Sequence, residues 1–516
     1  MTFQVNALER MNRHSDFATP LFTEIPHHER IEMSRRINRK EFLGVAGASL
    51  AGLAIGRNAE AAAAANPIVI ENAKPGTSNW FPNNQAQNRE IEGYADLTSV
   101  APGGTIRFYV NTASKTYTID IYRLGWYGGA GGRLHKTATQ SGIKQVIPAV
   151  NSTTGLCECK WKTPYSVTIP TGASAWTTGI YIAKLTTSSG VTSHIPFVVR
   201  DDTRVAVHLF QSSVTTSQAY NNWGGKSLYE HNSTNGKRAY KVSFNRPYNA
   251  YGSGDIVNDW SGWELNTLRF MEREGYDVTY CTNIDTHQNP NVFYRANSFL
   301  SVGHDEYWTL DMRFNVEYER NTGRHLGFLG ANAAYWQIRL EKASDGKANR
   351  TMTCYKDQAL DPFSRNASTA IQTTVRFRDE IISLPEEALI GVQFEHYPVN
   401  LDMVVTNTNH WAFAGTGLRD GDKLRGLVGY EADSRFGIGP SDTVILAATP
   451  VINPDTQGNS NMTIYQHSSG ANVFATGSMQ WAWGLDDLFA GWSHSNVVNP
   501  QAQQITRNIL SRFSFD

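Results

Sequence analysis

Three ionisable side chains in a row, His304, Asp305 and Glu306, follow an apolar segment at residues 299–302 that is typical of a buried strand. Histidine and carboxylate groups transfer protons in general acid–base catalysis, and carboxylates also bind metal ions. Because the three residues come where the strand ends, they would lie at the edge of a sheet. This segment therefore predicts a site for hydrolytic chemistry.

Two other polar clusters follow strand-like segments in the same half of the chain. Residues 218–225 read Gln-Ala-Tyr-Asn-Asn-Trp-Gly-Gly, and residues 330–336 read Gly-Ala-Asn-Ala-Ala-Tyr-Trp. Ligands of open α/β sheets bind beyond the carboxyl ends of the strands. We therefore expect all three clusters to face one crevice. Each cluster alone is also compatible with a turn that packs a tryptophan against the core.

The segments that must position these clusters alternate between strand and helix patterns from residue 201 onward. Apolar strand-like runs and amphipathic helix-like runs follow one another at residues 205–210, 263–274, 278–280, 299–302, 310–320 and 326–329. Alternation of this kind predicts an α/β domain with an open sheet over residues 201–516.

Residues 66–200 show a different pattern, in which short strand-like runs are separated by glycine-rich turns. In residues 117–121, for example, apolar side chains alternate with polar ones. A strand whose alternate residues are apolar buries one face, and no long helical pattern interrupts the series. These residues therefore predict an all-β, Ig-like sandwich that precedes the α/β domain.

Residues 1–65 are predicted to be an amino-terminal extension with an export signal. Residues 35–40 carry positive charge, and residues 42–56 form an apolar stretch that is too short to span a bilayer. Small residues at positions 58–61 offer a cleavage site. We expect no membrane span in the mature chain.

The route of export stays open between two kinds of signal. The segment 38–44 resembles a twin-arginine signal in which Lys40 replaces the second arginine, whereas a general secretory signal needs no such pair. Both Met1 and Met33 are candidate start residues. Either signal predicts a periplasmic or secreted protein.

The overall charge excludes some classes of partner. The 516 residues include 46 basic and 47 acidic side chains, for a net charge of -1. Such a chain has no broad positive field to attract nucleic acid or an anionic membrane, so a small neutral substrate is expected. The four cysteines show no metal-ligand spacing. A disulfide between Cys281 and Cys354 would be compatible with an oxidising compartment.

A covalent nucleophile is disfavoured by the strand-end sequences. An α/β hydrolase would have a Gly-x-Ser-x-Gly turn, and a glutamine amidotransferase would place a cysteine in the corresponding turn. Neither occurs after the predicted strands. Hydrolysis would then need water activated by a metal ion or by a general base.

Four segments together resemble the C-terminal region of the N,N-dimethylformamidase large subunit. They are residues 218–225, 244–248, 303–308 and 330–336, and the resemblance covers about residues 205–516. It implies a class I glutamine amidotransferase-like domain with a mononuclear ferric ion. It also implies hydrolysis of the C–N bond of a small amide by water.

In that family two tyrosines and a glutamate bind the iron. The resemblance implies Tyr220 and Glu306 as two of the ligands, and Tyr248 as the second tyrosine. Tyr240 and Tyr251 are alternatives for this last ligand. Phenolate and carboxylate are hard anionic donors, which favour a trivalent ion.

The resemblance also implies roles for residues around the metal ion. His304 would be a base or proton shuttle, and Asn332 would hydrogen-bond to substrate or water. Glu431 and Phe474 resemble residues of the substrate pocket, Glu431 among the catalytic groups. The family uses a small accessory subunit, so both that arrangement and a homo-oligomer stay open here.

A second class of function remains compatible with the sequence. The α/β domain would then be a degenerate, non-catalytic module of a cell-envelope or carbohydrate-binding protein. Aromatic side chains bind sugars when they lie on an exposed surface. The residues expected to form such a surface are Trp126, Tyr127, Trp481 and Trp483.

Overall fold

The predicted signal and both candidate start residues lie outside the residues that the structure describes. The computed structural model describes residues 66–81, 83–248, 261–452, 456–491 and 493–514. All of these residues belong to one compact unit. Among them, no helix is both long enough and apolar enough to cross a membrane.

The amino-terminal part of the described chain consists of a short helix and a series of strands. They are α1 (Pro67–Asn72), β1 (Ile91–Ala95), β2 (Ser99–Val100), β3 (Thr105–Thr112), β4 (Thr116–Leu124), β5 (Gly132–Ser141), β6 (Tyr165–Thr168), β7 (Gly179–Thr187) and β8 (Thr192–Val199). Strands β1, β3 and β6 form one sheet, and a second sheet has the order β2-β8-β7-β4-β5.

The two sheets pack against each other around a shared apolar core. Ile106 and Phe108 of β3 contact the same cluster as Ile119 and Ile121 of β4. In β4 the alternation predicted from the sequence is confirmed, because Tyr117, Ile119 and Ile121 are buried while the residues between them are partly exposed. Burial of one face per strand holds the two sheets together.

The remaining part mixes strands with helices. The strands are β9 (Ala206–Ser212), β10 (Lys241–Ser243), β11 (Val278–Thr282), β12 (Ala296–Gly303), β13 (Tyr307–Thr309), β14 (His325–Gly330), β15 (Trp336–Glu341), β16 (Thr351–Thr353), β17 (Gln393–Val404), β18 (Lys423–Ser434), β19 (Val444–Ile452), β20 (Gln457–Gln466) and β21 (Asn472–Ala475). The α-helices are α2 (Val214–Tyr220), α3 (Ser261–Arg273), α4 (Asn283–Gln288), α5 (Leu310–Asn321), α6 (Glu387–Ile390) and α7 (Pro500–Ser514).

The largest sheet of the described residues has seven strands in the order β11-β9-β12-β14-β21-β20-β19. The strands from β11 to β21 are parallel to their neighbours, whereas β20 and β19 are antiparallel. The expected open α/β sheet is therefore present, with an antiparallel edge that the sequence patterns did not predict. A four-stranded sheet, β10-β16-β15-β13, and the pair β17-β18 complete the arrangement.

Both faces of the parallel strands are covered, which explains their continuous apolar sequences. On one face, Phe210 of β9 and Leu300 of β12 pack in a cluster with residues of α3 and α7. On the other face, Leu209 and Phe299 pack in a second cluster that includes Met312 of α5. Successive side chains of each strand therefore enter different cores.

All four cysteines are buried free thiols, so the disulfide between Cys281 and Cys354 is absent.

The helix and strand patterns change near residue 200, between β8 and β9. The domain boundary at that position stays a prediction.

Candidate active site

Two glycines at neighbouring strand ends shape the crevice. Gly303 ends β12 and pairs in register with Gly330 at the end of β14. Gly303 has a φ of +77°, which favours glycine, and a Cβ at Gly330 would lie 2.0 Å from the Gly303 carbonyl oxygen. The two strands therefore end side by side, and the residues that follow each of them reach the same edge of the sheet.

Asp305, for which the sequence suggested no role, holds the strand ends together. Its buried carboxylate accepts hydrogen bonds from Gln211 Nε2 at 2.7 Å, Asn283 Nδ2 at 2.8 Å and Ser301 Oγ at 2.8 Å. These donors come from β9, from α4 directly after β11, and from β12. Asp305 is thus a structural residue that fixes its neighbours His304 and Glu306.

Three phenols and one carboxylate form a hydrogen-bonded group at this edge. Tyr229 Oη lies 2.8 Å from Tyr220 Oη and 3.0 Å from each carboxylate oxygen of Glu306. Tyr220 Oη is itself 3.0 Å from Glu306 Oε2. Tyr307 Oη donates to Tyr229 Oη over 2.6 Å. Three oxygen-bearing groups, two phenols and a carboxylate, are therefore mutual neighbours.

His304 lies between two carboxylates. Its Nε2 atom is 3.3 Å from Glu306 Oε2 and 3.2 Å from Glu431 Oε2. Glu431 also accepts a hydrogen bond from Asn332 Nδ2 at 2.7 Å. The backbone N–H of Asn332 donates to Asp433 Oδ1 at 2.8 Å. This network connects the end of β14 with β18.

Burial and charge determine the protonation of the oxygen donors. Burial, reinforced by the Glu306 carboxylate, raises the pKa of Tyr220 and of Tyr229 well above the usual value of a phenol. Burial also opposes ionisation of Glu306, but its hydrogen bond to His304 and the charges of His304 and Lys356 hold the pKa of that carboxyl below its usual value. Without a cation, the two phenols keep their protons at neutral pH while Glu306 is ionised.

The charge of His304 follows from the same neighbours. Burial lowers the pKa of an imidazole, but here Glu431 and Glu306 outweigh burial and hold the pKa of His304 well above its usual value. Lys356 lies next to this group, with Nζ 3.5 Å from the centroid of the Tyr229 ring. Burial lowers the pKa of Lys356 to about 8.

A cavity of about 590 Å³ opens above these groups. Its floor carries the polar residues just described, and its walls are mostly aromatic. The lining residues are Tyr220, Tyr229, His231, Trp263, His304, Glu306, Asn332, Tyr335, Trp336, Phe394, Tyr397, Tyr430, Glu431 and Met479. A concave, largely apolar pocket with a few convergent polar groups is typical of a small-molecule site.

Five residues singled out from the sequence come together in this cavity. They are Tyr220, His304, Glu306, Asn332 and Glu431. The prediction that the three strand-end clusters face one crevice is therefore confirmed for these positions. Their catalytic and ligand roles stay predictions.

Tyr248 does not lie with the other expected ligands. It lines a separate cavity beside Trp223 and Arg89. The reason is Arg246, whose buried guanidinium donates to the carbonyl oxygens of Asn221 and Trp223 and so fixes this segment beside them. Tyr229, and not Tyr248, lies beside Tyr220 and Glu306.

The other two candidates for the second phenol do not replace Tyr229. Tyr240 stacks on Tyr355 with 5.1 Å between the ring centroids and does not line the site cavity. Tyr251 lies outside the described residues.

Phe474, expected in the substrate pocket, does not line the cavity either. It lies in β21, between β14 and β20, and its side chain is fully buried in the apolar core. A central strand of a covered sheet offers no path from that side chain to the cavity. Met479, which follows β21, lines the cavity instead.

The aromatic residues expected to form a carbohydrate surface are not exposed together. Trp481 and Tyr127 are buried. The guanidinium groups of Arg269 and Arg273 cover the Trp126 ring, at 4.9 and 5.3 Å from its centroid. Trp483 stacks between two other rings. These four side chains therefore form no sugar-binding platform.

Sequence reasoning missed Tyr229 and Lys356. Tyr229 lies in the irregular segment between α2 and β10, and Lys356 follows β16. Neither residue belongs to a periodic pattern or a strand end of the main sheet. The only signal for Tyr229 is its position nine residues after Tyr220, which is too common a spacing to identify a ligand.

The chemistry of the oxygen group suits a hard metal ion. Among the described residues there is no group of three or more His, Cys, Asp and Glu side chains that could hold a metal ion. The group formed by Tyr220, Tyr229 and Glu306 is of another kind, because two of its three members are phenols. Glu306 is already ionised, and the two phenols would lose their protons on binding, so the group would offer three anionic oxygen donors, which fit a trivalent cation.

The sequence matches the family described as N,N-dimethylformamidase beta subunit-like, C-terminal, over residues 118–497. The chain belongs to this family. No curated protein matches this chain significantly. Among solved structures, a cycloisomaltooligosaccharide glucanotransferase of Paenibacillus sp., in complex with cycloisomaltoheptaose, is 13% identical. That alignment covers 53% of this chain and 34% of the other, with a TM-score of 0.14.

Proposed function

We propose that this protein is an amide hydrolase that uses a mononuclear ferric ion held by Tyr220, Tyr229 and Glu306. The observation that carries the proposal is the close approach of these three groups, with 2.8 Å between the two phenolic oxygens and 3.0 Å from each of them to Glu306. Membership of the dimethylformamidase-like family supports the reaction class.

The two phenols would need a cation at this place to lose their protons. Burial and the Glu306 charge raise the pKa of both phenols, so the protonated forms crowd around one carboxylate. A metal ion lowers the pKa of the groups that it binds. When bound, a ferric ion supplies Lewis-acid chemistry, which polarises a carbonyl group and makes water more acidic.

The residues of the chain itself supply proton transfer. Glu431 is placed to take a proton from the attacking water, because its carboxylate lies on the cavity wall beside His304. His304, held protonated by two carboxylates, is placed to give a proton to the departing amine nitrogen. Asn332 fixes the Glu431 carboxylate through its side-chain amide. The step consumes water and forms a carboxylic acid and an amine.

Iron binding tests the proposal directly. Ferric phenolates absorb visible light, so we expect purified protein to be coloured and to contain about one iron per chain under the three-ligand arrangement. Tyr220→Phe and Tyr229→Phe should each lose most of the iron and the visible absorption band. Tyr240→Phe is the matched control, because it removes a phenol outside the cavity, and it should keep both.

Two results would contradict the proposal. Folded wild-type protein that is colourless and metal-free after growth with iron would exclude the ferric site. Full retention of iron by Tyr229→Phe, with loss in Tyr248→Phe, would restore the ligand expected from the sequence. Circular dichroism of each variant separates loss of metal from loss of fold.

We also propose the finer features that were expected from the sequence. The α/β part would be class I glutamine amidotransferase-like, as the family resemblance implies. The amino-terminal sheets would be Ig-like, and residues 1–65 would direct export to the periplasm or out of the cell, as their residue patterns predict. The family description names a beta subunit, which supports a search for a small accessory subunit. Copurification from the native host tests for that subunit.

A further inference from the structure

The cavity is larger than a small formamide needs. Its volume of about 590 Å³ falls within the range of about 300–1,000 Å³ that is typical of pockets for drug-sized ligands. The floor is formed by Tyr220, Glu306 and His304, and the mouth by Tyr397 and Tyr430, which are 50% and 46% exposed. An amide with only methyl substituents would leave most of this space unfilled.

The walls between floor and mouth are aromatic. Tyr335 meets Trp336 and Phe394 edge to face, with centroid distances of 5.0 and 5.4 Å. Trp263 and Met479 add further apolar surface. Apolar and aromatic groups gain free energy when they leave water for such a surface. The walls therefore fit an aryl or similarly bulky apolar substituent.

The charge of the lining disfavours anionic ligands. Glu306 and Glu431 line the cavity, whereas the described lining residues include neither arginine nor lysine. Lys356 approaches the ring of Tyr229 but is not one of the lining residues. The protonated His304 already lies between these two carboxylates. A carboxylate on the substituent would therefore find no free cationic side chain in the described lining and would face two negative groups.

The side-chain oxygen of Asn332 accepts no hydrogen bond from the described residues. The Nδ2 atom of Asn332 donates to Glu431 Oε2 over 2.7 Å, and this contact fixes the orientation of the amide. The other atom, Oδ1, is buried and has no hydrogen-bond partner in the part of the chain that the structure describes. A buried acceptor without a partner costs free energy, which a ligand with an N–H group would recover.

We propose that the site selects a neutral secondary amide, whose nitrogen carries one hydrogen and an aryl or similarly bulky apolar substituent. The N–H would donate to Asn332 Oδ1, and the substituent would pack between Tyr335, Phe394 and Trp263. This inference rests on the proposed function, because it names the substrate class of the same site. It differs from a preference for small N,N-dialkylated formamides, which have no N–H to donate.

A matched set of three amides tests the inference on the full-length, iron-loaded protein. The probes are N-benzylformamide, N-benzyl-N-methylformamide and N,N-dimethylformamide. Stopped-flow tryptophan fluorescence follows binding before turnover, since Trp263 and Trp336 line the cavity, and initial rates give kcat/KM. We expect N-benzylformamide to bind best, about tenfold more tightly than its N-methyl derivative, as one net hydrogen bond predicts.

Two variants test separately the hydrogen bond to Asn332 and the packing against Phe394. Asn332→Gly keeps the left-handed backbone at φ +53° and should abolish the difference between the secondary and tertiary benzyl amides. Phe394→Ala should weaken both benzyl amides alike, with little effect on N,N-dimethylformamide. Phe436→Ala removes a half-exposed ring outside the cavity and should change none of the three.

The outcomes separate this inference from the proposed function. Equal binding of the two benzyl amides, or tighter binding of N,N-dimethylformamide, would overturn the inference even if hydrolysis occurs. Failure of all three probes to bind would overturn it as well. If N-benzylformamide binds with the expected preference but no amide is hydrolysed, the inference stands and the amide hydrolase proposal fails.

Discussion

At the residue scale, the site depends on side chains whose protonation is set by burial. Asp433 is the clearest case outside the proposed metal ligands. Burial raises the pKa of this carboxyl to about 7, and the neighbouring Glu431 and Glu386 add to the rise, whereas the Asn332 N–H and Arg378 oppose it. In the unfolded chain an aspartate has a pKa of about 3.9.

This difference predicts how the stability of the protein depends on pH. Because the folded state binds the proton more tightly, Asp433 reduces the free energy of unfolding progressively as pH rises from about 4 to about 7. Asp433→Asn removes that loss and can still accept the Asn332 N–H. Urea unfolding measures the free energy of unfolding of both proteins at pH 5 and pH 8. Relative to the wild type, that of the variant should be higher at pH 8 than at pH 5 by a few kcal/mol.

An exposed aspartate provides the control for this measurement. Asp442 is exposed, so Asp442→Asn should follow the wild type at both pH values. Parallel pH curves for wild type and Asp433→Asn would show that Asp433 is ionised normally in the folded protein.

Single residues of the site were predictable from the sequence only where a regular element delivers them. His304, Glu306 and Asn332 follow buried strands, and Tyr220 ends a helix after another strand. Tyr229 lies in an irregular segment, where side-chain direction depends on long-range contacts that no local pattern encodes. The same holds for Tyr248, which the contacts of Arg246 place elsewhere.

At the scale of elements, the site depends on strand ends that are held together by one carboxylate. Asp305 accepts hydrogen bonds from Gln211, Asn283 and Ser301, and all four residues are buried. The helix and strand patterns of the sequence predicted most of these elements, because the strands of the parallel sheet are buried and contain apolar runs. The strands β19, β20 and β21 are neighbours in the chain, but their place in the large sheet depends on the pairing of β21 with β14. Local patterns do not encode that pairing, because it joins distant segments.

Removing this carboxylate should destabilise the protein strongly. Asp305→Ala leaves three buried donors without their acceptor, and a lost hydrogen bond to a charged group costs about 1.5–3 kcal/mol. We expect the urea midpoint to fall clearly and iron binding to weaken, because His304 and Glu306 lose their support. Urea unfolding followed by circular dichroism measures the midpoint, and iron analysis measures the binding.

Two further variants are controls for Asp305→Ala. Asp305→Asn keeps one acceptor oxygen and should lose less stability than Asp305→Ala. Asp442→Ala, which removes an exposed carboxylate, should leave both the midpoint and the iron content unchanged. A normal midpoint for Asp305→Ala would show that the strand ends hold their positions without it.

At the scale of the whole molecule, a buried ion pair links the amino-terminal sheets to the α/β part. Arg123 of β4 donates to Glu272 of α3 over 2.6 and 2.9 Å, and both side chains are fully buried. Tyr280 Oη of β11 donates to the same carboxylate over 2.8 Å. The sequence predicted a change of structure near residue 200 but gave no sign of this connection, because its partners are 149 residues apart.

Breaking this pair should lower the stability of both parts at once. Glu272→Ala leaves the Arg123 charge buried and unpaired, which costs about 3–5 kcal/mol. We expect a single calorimetric transition at lower temperature. The double variant Arg123→Ala with Glu272→Ala should lose less than the sum of the two single losses. Two separate transitions in Glu272→Ala would indicate that the parts unfold independently.

The four buried thiols have a consequence for how the protein must be handled and made. Cys157 and Cys159 are separated by one residue, and folding encloses both, together with Cys281 and Cys354. While the chain is unfolded, all four sulfur atoms meet any oxidant in solution and can join in wrong pairs. Refolding yield should therefore depend on added reductant, and a chain that folds before it meets an oxidant keeps its thiols intact.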